Sequence, residues 1–279
     1  MPTLTAVILT HNEAIDIVEC VESCRFCDHI IVFDSNSTDN TRELAVAAGA
    51  RVHTRAFTNY ADQRNAALAA ADDAAWVLMI DADERVPADM AKEVRAVADT
   101  AGEEITMYRV RRKDFFFGRW MRRATGYPTW FARLIRPTRA RFVRDINEDV
   151  ETAGSVGFLR THFHHFPFSK GVAAWVDRHN RYSTLEAKRL LAERDEPFMP
   201  GDIDFFDPAK RRRLAKRVFY RLPCRPWLAF VGLYLVRGGL WDGWAGLHYC
   251  RLRAMYEYMI SLKMAELASS PAGGGQRYS

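Results

Sequence analysis

Apolar positions along the first hundred residues alternate between two periods. Short β-branched runs at Leu4–Thr10, His29–Phe33, Arg51–Thr54 and Trp76–Ile80 read as strands. Between them, Ala14 to about Phe26, Asn40 to Ala48 and Tyr60 to Ala71 carry helical spacing, and Ile15, Val18 and Val21 form an apolar face that needs burial. Asn40 with Glu43 three residues on reads as a helix start and Gly49 as its stop. Pro87 opens a further helix through about Ala98. Strands and helices alternating in this way predict βαβ units, a parallel sheet, right-handed crossovers and helices on both faces.

Beyond residue 104 the pattern changes. Ile105–Arg112, Thr129–Arg136, Ala140–Val143 and Val156–Arg160 read as strands with few helical signals between them, which predicts an antiparallel or mixed extension of the sheet. Ser169 to about Arg194 reads as one long helix. Pro197, Pro200 and Gly201 break it, Pro208–Leu222 is helical, Pro223 and Pro226 make a second break, and a Trp-, Tyr- and Gly-rich apolar segment runs to Leu267. The expected organisation is a catalytic domain over 1–168, divided near 100, a basic amphipathic helical region over 169–267, and a disordered tail over 268–279.

Composition narrows the field. In 279 residues, 48% hydrophobic and 27% charged, there is ample material for a core, which excludes general disorder. A net charge of +5 is too mild to argue for nucleic acid as a partner. Five cysteines without a secreted-domain framework suggest reduced thiols and a cytoplasmic setting. The N-terminal apolar run stops at Thr10-His11-Asn12 without a basic segment before it, so no signal peptide is expected, and no apolar stretch is long enough to span a bilayer.

Candidate chemistry sits where the strands end. In open parallel sheets, ligands bind beyond the carboxyl ends of the strands. Three polar clusters fall there: Thr10-His11-Asn12-Glu13, Asp34 to Asp39, and Asp81-Ala82-Asp83. Neither a G-x-G-x-x-G fingerprint nor a P-loop occurs, so phosphates would need a metal rather than a glycine cradle. Two carboxylates at i and i+2 leaving a strand point the same way and suit Mg2+ or Mn2+, hard cations that share oxygen ligands with a substrate diphosphate. The D-x-D pair alone also fits an acidic turn before the helix at Pro87.

Taken together, Thr10-His11-Asn12-Glu13, Asp34-Ser35-x-Ser37-Thr38-Asp39-x-Thr41, Gln63-Arg64-Asn65 and Met79-Ile80-Asp81-Ala82-Asp83-Glu84 resemble the family 2 glycosyltransferases. The later Lys170-Gly171…His179-Asn180-Arg181-Tyr182-Ser183 and Asp242-Gly243-x-x-Gly246-Leu247 are similar to the subgroup that adds sugars to lipopolysaccharide core or other surface glycolipids. The resemblance spans about residues 4–265. It implies an α/β, Rossmann-like GT-A fold: a mostly parallel sheet with flanking helices, followed by a helical C-terminal extension that associates with the membrane. It further implies a nucleoside-diphosphate sugar donor, a UDP-sugar being favoured, and a Mn2+ or Mg2+ cofactor. The acceptor it implies is a glycolipid or lipid-linked saccharide, reached from the cytoplasmic face of the inner membrane.

The same resemblance implies residue roles. Asp34 accepts from the nucleotide base. Thr10, Asn12, Glu13, Ser35, Asp39 and Asn65 shape the substrate pocket, and Arg64 contacts base or phosphate. Asp81 binds ribose or the water shell of the metal, and Asp83 coordinates the metal. Glu148, in Ile146-Asn147-Glu148-Asp149-Val150, is the candidate general base of an inverting transfer, with Asp149 and Asp145 as competitors. The subgroup commonly has His before this Glu, whereas this chain has Asn147. His165 aligns with a further metal ligand, against the alternative of an ordinary hydrogen-bonded histidine.

Three features stand apart. Arg109, Arg111, Arg112 and Lys113 make a basic strand edge that faces an acceptor phosphate or is solvated. Cys20-x-x-x-Cys24-x-Phe26-Cys27 has the spacing of a radical S-adenosylmethionine cluster motif, but it lies on an expected helix without a wrapping loop, so buried thiols are the preferred reading. Eight Lys/Arg and no acid occur between Lys210 and Arg225, interleaved with apolar residues and followed by Trp227, Trp241 and Trp244. That composition suits an anionic membrane surface through about 210–250. A catalytically inactive domain of the same fold, serving as a membrane assembly partner, is the remaining alternative.

Overall fold

A computed structural model describes residues 2–71, 73–143, 150–194, 219–220, 222 and 224–269. The chain divides into two units. The first comprises Met1–Trp120 and Tyr127–Lys170, the second Met121–Gly126 and Gly171–Ser279.

The first unit is built on one sheet. Its strands are β1 (Leu4–Thr10), β2 (His29–Asp34), β3 (Arg51–Thr54), β4 (Trp76–Asp81), β5 (Glu84–Arg85), β6 (Ile105–Phe116), β7 (Arg119–Trp120), β8 (Thr129–Ile135) and β11 (Ser155–His165), with β9 (Ala140–Phe142) and β10 (Val150–Thr152) as a separate antiparallel pair. The order is β3-β2-β1-β4-β8-β6-β11-β5, and β7 pairs with β6. β3, β2, β1 and β4 are parallel. β8 runs antiparallel to both β4 and β6, while β11 is parallel to β6. This is the α/β GT-A architecture with its mixed extension. The register brings the polar strand ends together: Thr10 lies opposite Asp34 and Leu9 opposite Asp81, so three of them share one edge.

Alternation along β1 makes the two faces. Leu4, Ala6 and Ile8 pack with Ile17 and Val21 of α1 (Ile17–Ser23), Ala45 of α2 (Thr41–Ala47), and Met90 and Val94 of α4 (Ala88–Thr100). Val7 faces the other way, with Ala67 and Leu68 of α3 (Tyr60–Ala69). Period two in the strand thus sends apolar side chains to helices on both sides.

Two helix starts differ from the sequence expectation. α1 begins at Ile17, not near Ala14, because the backbone before it is engaged elsewhere: Glu13 N donates to Thr41 Oγ1 at 2.8 Å and Ala14 N to Asp39 Oδ2 at 3.2 Å. Ile15 and Val18 are consequently exposed, and only Val21 of the expected trio is buried. At α2 the Asn40–Glu43 box is not formed at its Asn40 end, whose side chain makes no capping bond; Asp39 Oδ1 accepts from Thr41 N instead. β6 and β11 run to Phe116 and His165, beyond their expected ends, because each continues as the other's partner as far as the Asp114–His165 pair.

In the second unit α5 (Gly171–Arg194) packs with α7 (Gly243–Ser269), and α6 (Arg225–Val231) passes through a π-helical turn at Gly232–Val236 and a 3-10 turn at Gly239–Asp242. Pro226 lies in the first turn of α6 rather than at a break, where its missing N–H costs no helical bond. Asp242 holds the Met121–Gly126 segment in this unit: its carboxylate accepts from the backbone N–H groups of Arg122, Arg123 and Ala124 at 3.1, 2.9 and 2.7 Å. Gly246 packs so closely on the 3-10 turn that a Cβ there would strike the Gly239 carbonyl. Among the described residues no helix is long and apolar enough to cross a membrane. Residues 208–218 and 221 of the expected helix over 208–222, with its basic residues Lys210–Arg213, Lys216, Arg217 and Arg221, and the tail from 270 lie outside the described residues.

Candidate functional site

The β1 and β2 ends form one hydrogen-bonded corner. Thr10 Oγ1 donates to Asp34 Oδ1 at 2.9 Å, Ser37 N donates to Asp34 Oδ2 at 2.8 Å, and Ser37 Oγ also bonds Oδ1. Asp34 is fully buried. Both carboxylate oxygens of Asp34, the residue expected to meet a nucleotide base, accept hydrogen bonds inside the corner. The groups left at the surface there are Asn36 and Thr38, with Ser35 half-buried beside them. Ser35 Oγ accepts from Gln63 Nε2 at 3.0 Å.

Asn12 holds a left-handed backbone, φ 56°, a conformation Asn tolerates better than most residues. Its N–H donates to Ser37 Oγ and its Oδ1 accepts from Thr38 N, both at 2.8 Å. Lys170 Nζ closes the corner from the far end of the unit, reaching Glu13 Oε1 and the Asn12 carbonyl at 2.6 Å each. Burial pushes the Glu13 carboxyl up, only partly offset by Lys170, to about 7. For Asp39, burial acts upward, but bonds from Thr41 and Ala14 hold its carboxyl below the usual range.

The β4 end carries a charged network. Arg64 Nη2 lies 3.1 Å from Asp81 Oδ1, and Arg133 Nη2 lies 3.0 Å from Asp81 Oδ2 and 2.7 Å from Glu84 Oε1. Arg133 is 1% exposed. Burial acts to raise Asp81, yet the two guanidiniums hold it below its ordinary value. Glu84, buried more deeply than Asp81 and ion-paired with Arg133, is pushed up by that burial to about 7. Asn65, expected in the substrate pocket, turns elsewhere: its Nδ2 donates to the Phe142 carbonyl and its Oδ1 accepts from Phe142 N, both at 2.9 Å. Its amide is a clamp on β9.

Asp83 and His165 meet beside this network. β5 pairs with the end of β11, and Phe166 N donates to the Asp83 carbonyl at 2.8 Å. This sets Asp83 Oδ2 3.4 Å from His165 Nε2, while His165 Nδ1 lies 2.6 Å from Asp114 Oδ1. Burial acts to lower the imidazole, but Asp83 and Asp114 outweigh it and raise His165 to about 9. A carboxylate behind one ring nitrogen, with the other aimed at a second carboxylate, is the arrangement that orients a metal-ligating histidine. The carboxylate suits Mn2+ or Mg2+, and the imidazole nitrogen beside it favours Mn2+ over Mg2+, which prefers oxygen ligands. Among the described residues no three His, Cys, Asp or Glu converge as a complete metal site.

Arg133, Asp114, Glu84 and Lys170 were not assigned site roles from sequence. The available signal was a charge inside an apolar strand, Arg133 in Trp130-Phe131-Ala132-Arg133-Leu134 and Asp114 before Phe115-Phe116. In the basic strand edge, Arg111 and Arg112 lie over the rings of Trp130 and Phe131, and Lys113 over Trp120. Glu148, Asp149, Asp145 and Asn147 lie outside the described residues. Cys20, Cys24 and Cys27 are buried in the core, and burial raises the Cys20 and Cys27 thiols. That is the environment of inert structural thiols, not of a cluster-binding loop.

The sequence profile of glycosyl transferase family 2 matches residues 5–166. A lipopolysaccharide core biosynthesis glycosyltransferase, LpsC of Rhizobium meliloti (strain 1021), is 29% identical over 273 residues, 94% of this chain and 91% of its own length. An uncharacterized glycosyltransferase of Rickettsia felis is 27% identical over 207 residues, 69% of this chain and 72% of its own. Among solved structures, glucosyl-3-phosphoglycerate synthase from Mycobacterium tuberculosis, in complex with Mn2+, uridine diphosphate and phosphoglyceric acid, is 27% identical with a TM-score of 0.34. That match covers 42% of this chain and 44% of the synthase chain.

Proposed function

The chain belongs to glycosyl transferase family 2, and on that premise we propose that it moves a sugar, with inversion, from a nucleoside-diphosphate donor to a glycolipid or lipid-linked saccharide. Its kinship with a lipopolysaccharide core transferase makes such a core the favoured acceptor, and a UDP-sugar is the favoured donor. The observation that carries the reading is the Asp83–His165–Asp114 alignment beside the Arg64–Asp81–Arg133 network.

Asp83 and His165 would hold Mn2+ or Mg2+. The cation supplies charge compensation for the diphosphate leaving group. Arg64 and Arg133 keep Asp81 ionised, so its partly exposed carboxylate can accept from ribose hydroxyls. Asn36, Thr38 and Ser35 offer the polar groups nearest the base, on a corner that Asp34, Asn12 and Asp39 hold in shape. Glu148 takes the proton of the acceptor hydroxyl as its oxygen attacks the anomeric carbon, and the nucleoside diphosphate departs from the opposite side. The segment carrying Glu148 begins and ends on a strand pair, Phe142 opposite Val150, and Asn65 clamps Phe142. Arg64 and Asn65 thus couple donor and acceptor sides through adjacent residues of α3.

In the second unit Trp227, Val236 and Trp241 are 73%, 81% and 78% exposed. Exposed tryptophans next to a basic run support peripheral attachment at the cytoplasmic face of the inner membrane, where a lipid-linked acceptor would be found. Sugar transfer from a UDP-sugar to a lipid-linked acceptor tests the site. Glu148→Gln should lower kcat by about 10³-fold, and Asp83→Ala should abolish turnover while circular dichroism stays native. Full activity in Asp83→Ala would remove the site assignment.

A further inference from the structure

The polypeptide that carries the site residues runs on into a second recess. Glu13 leads to Ile15 and Asp16, Asp83 to Arg85, Asp114 to Phe115 and Phe117, and His165 to Phe166 and Phe168. These residues, with Glu19, Gly118 and Ser169, line a cleft of about 310 Å3 in the first unit. That is the small end of the range of small-molecule sites, roughly 300–1,000 Å3.

Its two kinds of wall are distinct. One is aromatic. Phe115 and Phe166 stack at 5.1 Å with rings 23° apart, and Phe117 is 58% exposed on a backbone with φ 47°. An aromatic residue in the left-handed region costs free energy and persists where the surroundings impose it. The other wall is charged and ordered. Arg85 Nη2 lies 2.9 Å from Asp16 Oδ1, Ser169 Oγ donates to Asp16 Oδ2 at 2.5 Å, and Arg85 Nε lies 3.2 Å from Glu19 Oε2 at the open rim. A fatty chain laid there would strip water from the exposed Glu19 carboxylate and return no hydrogen bond. A pyranose has one flat face of C–H groups for the rings and a rim of hydroxyls for the exposed Glu19 carboxylate, which Arg85, itself held by Asp16, keeps in place.

We propose that this cleft is a saccharide subsite, holding non-reacting sugar residues of the acceptor while the reacting hydroxyl lies at the Asp83–His165 site. The inference rests on the glycosyltransferase reading. Binding of such remote residues is a source of energy for orienting the reacting hydroxyl.

The test is saturation-transfer NMR on the full chain with methyl α-D-mannopyranoside, methyl β-D-galactopyranoside and maltose, with decanoate as the fatty-chain probe. Phe117→Gly keeps the left-handed backbone and removes the ring, and Glu19→Gln removes a rim charge without changing shape. The expected result is saturation of at least one saccharide, weakened roughly fivefold by Phe117→Gly and also reduced by Glu19→Gln. Saccharide signals absent, or unchanged in both variants, overturn the proposal. So does Phe117-dependent binding of decanoate in place of sugar. UDP titrated into the same samples tests the donor reading separately: unaltered UDP affinity in both variants is expected. Loss of UDP binding in the unsubstituted chain, with saccharide binding kept, would count against the donor assignment and not against the cleft.

Discussion

Arg133 serves two carboxylates from a position with almost no solvent, and Glu84 has no other cation within ion-pair distance among the described residues. Replacing one partner of a buried pair leaves an uncompensated charge, which costs about 3–5 kcal/mol. Arg133→Met is therefore expected to lower stability by about that amount, read from the urea midpoint at pH 8, where Glu84 is ionised. Adding Glu84→Gln should restore part of the loss. An unchanged midpoint in Arg133→Met would contradict the network. At this scale the sequence exposed which residues are polar at strand ends, but not where they point. Asp34 and Asn65 stand at the expected positions, yet Ser37 and Thr10 claim one carboxylate and Phe142, 77 residues away, claims the other side chain. Such partners depend on tertiary register that no local pattern encodes.

Among the helices, α5 and α7 share a titratable contact. His179 stacks on Trp175 at 3.6 Å, meets Tyr256 edge-on at 5.1 Å, and has its Nδ1 2.8 Å from the Trp175 carbonyl. Burial lowers this imidazole to about 4, with Arg178 and Arg253 adding repulsion that the Trp175 bond only partly offsets. Because the folded value lies below the ordinary 6.5, the unfolded chain binds the proton more readily. The stability contributed here is full above about 6.5 and is lost as pH falls through about 4. His179→Phe is expected to flatten the thermal midpoint between pH 6.5 and 4; an identical slope in the variant would contradict it. Strand and helix identity in the first hundred residues was legible because β1 and β4 are apolar on both faces and the helices between them are periodic. The starts of α1 and α2 were not, since Thr41 and Asp39 compete for backbone groups that local capping rules assign to the helices. The excursion of Met121–Gly126 into the second unit left no periodic trace either; it depends on Asp242, more than a hundred residues later.

Across the whole molecule the net charge of +5 conceals an uneven distribution, with eight basic residues between Lys210 and Arg225 and exposed tryptophans after them. Each basic residue near an anionic leaflet contributes about 1 kcal/mol. Replacing Arg211, Arg212 and Arg213 with Glu is expected to release the protein from vesicles containing phosphatidylglycerol in a sedimentation assay, and raised salt should have a similar effect. Unchanged sedimentation would remove the membrane reading and leave the transferase chemistry intact. The family was legible because its motifs sit at strand ends in chain order, where the fold collects them at one edge. Donor base and acceptor identity depend on loop geometry that those motifs do not spell out.

The most direct measurement is calorimetric titration of UDP, GDP and CDP into the purified protein, with Mn2+ and with EDTA, repeated on Asp83→Ala. The account predicts that one nucleotide, UDP, binds with Mn2+, that EDTA weakens it, and that Asp83→Ala removes the metal-dependent part. Binding of no nucleotide, or UDP binding indifferent to both EDTA and Asp83→Ala, would contradict a metal-assisted donor site at Asp83 and His165.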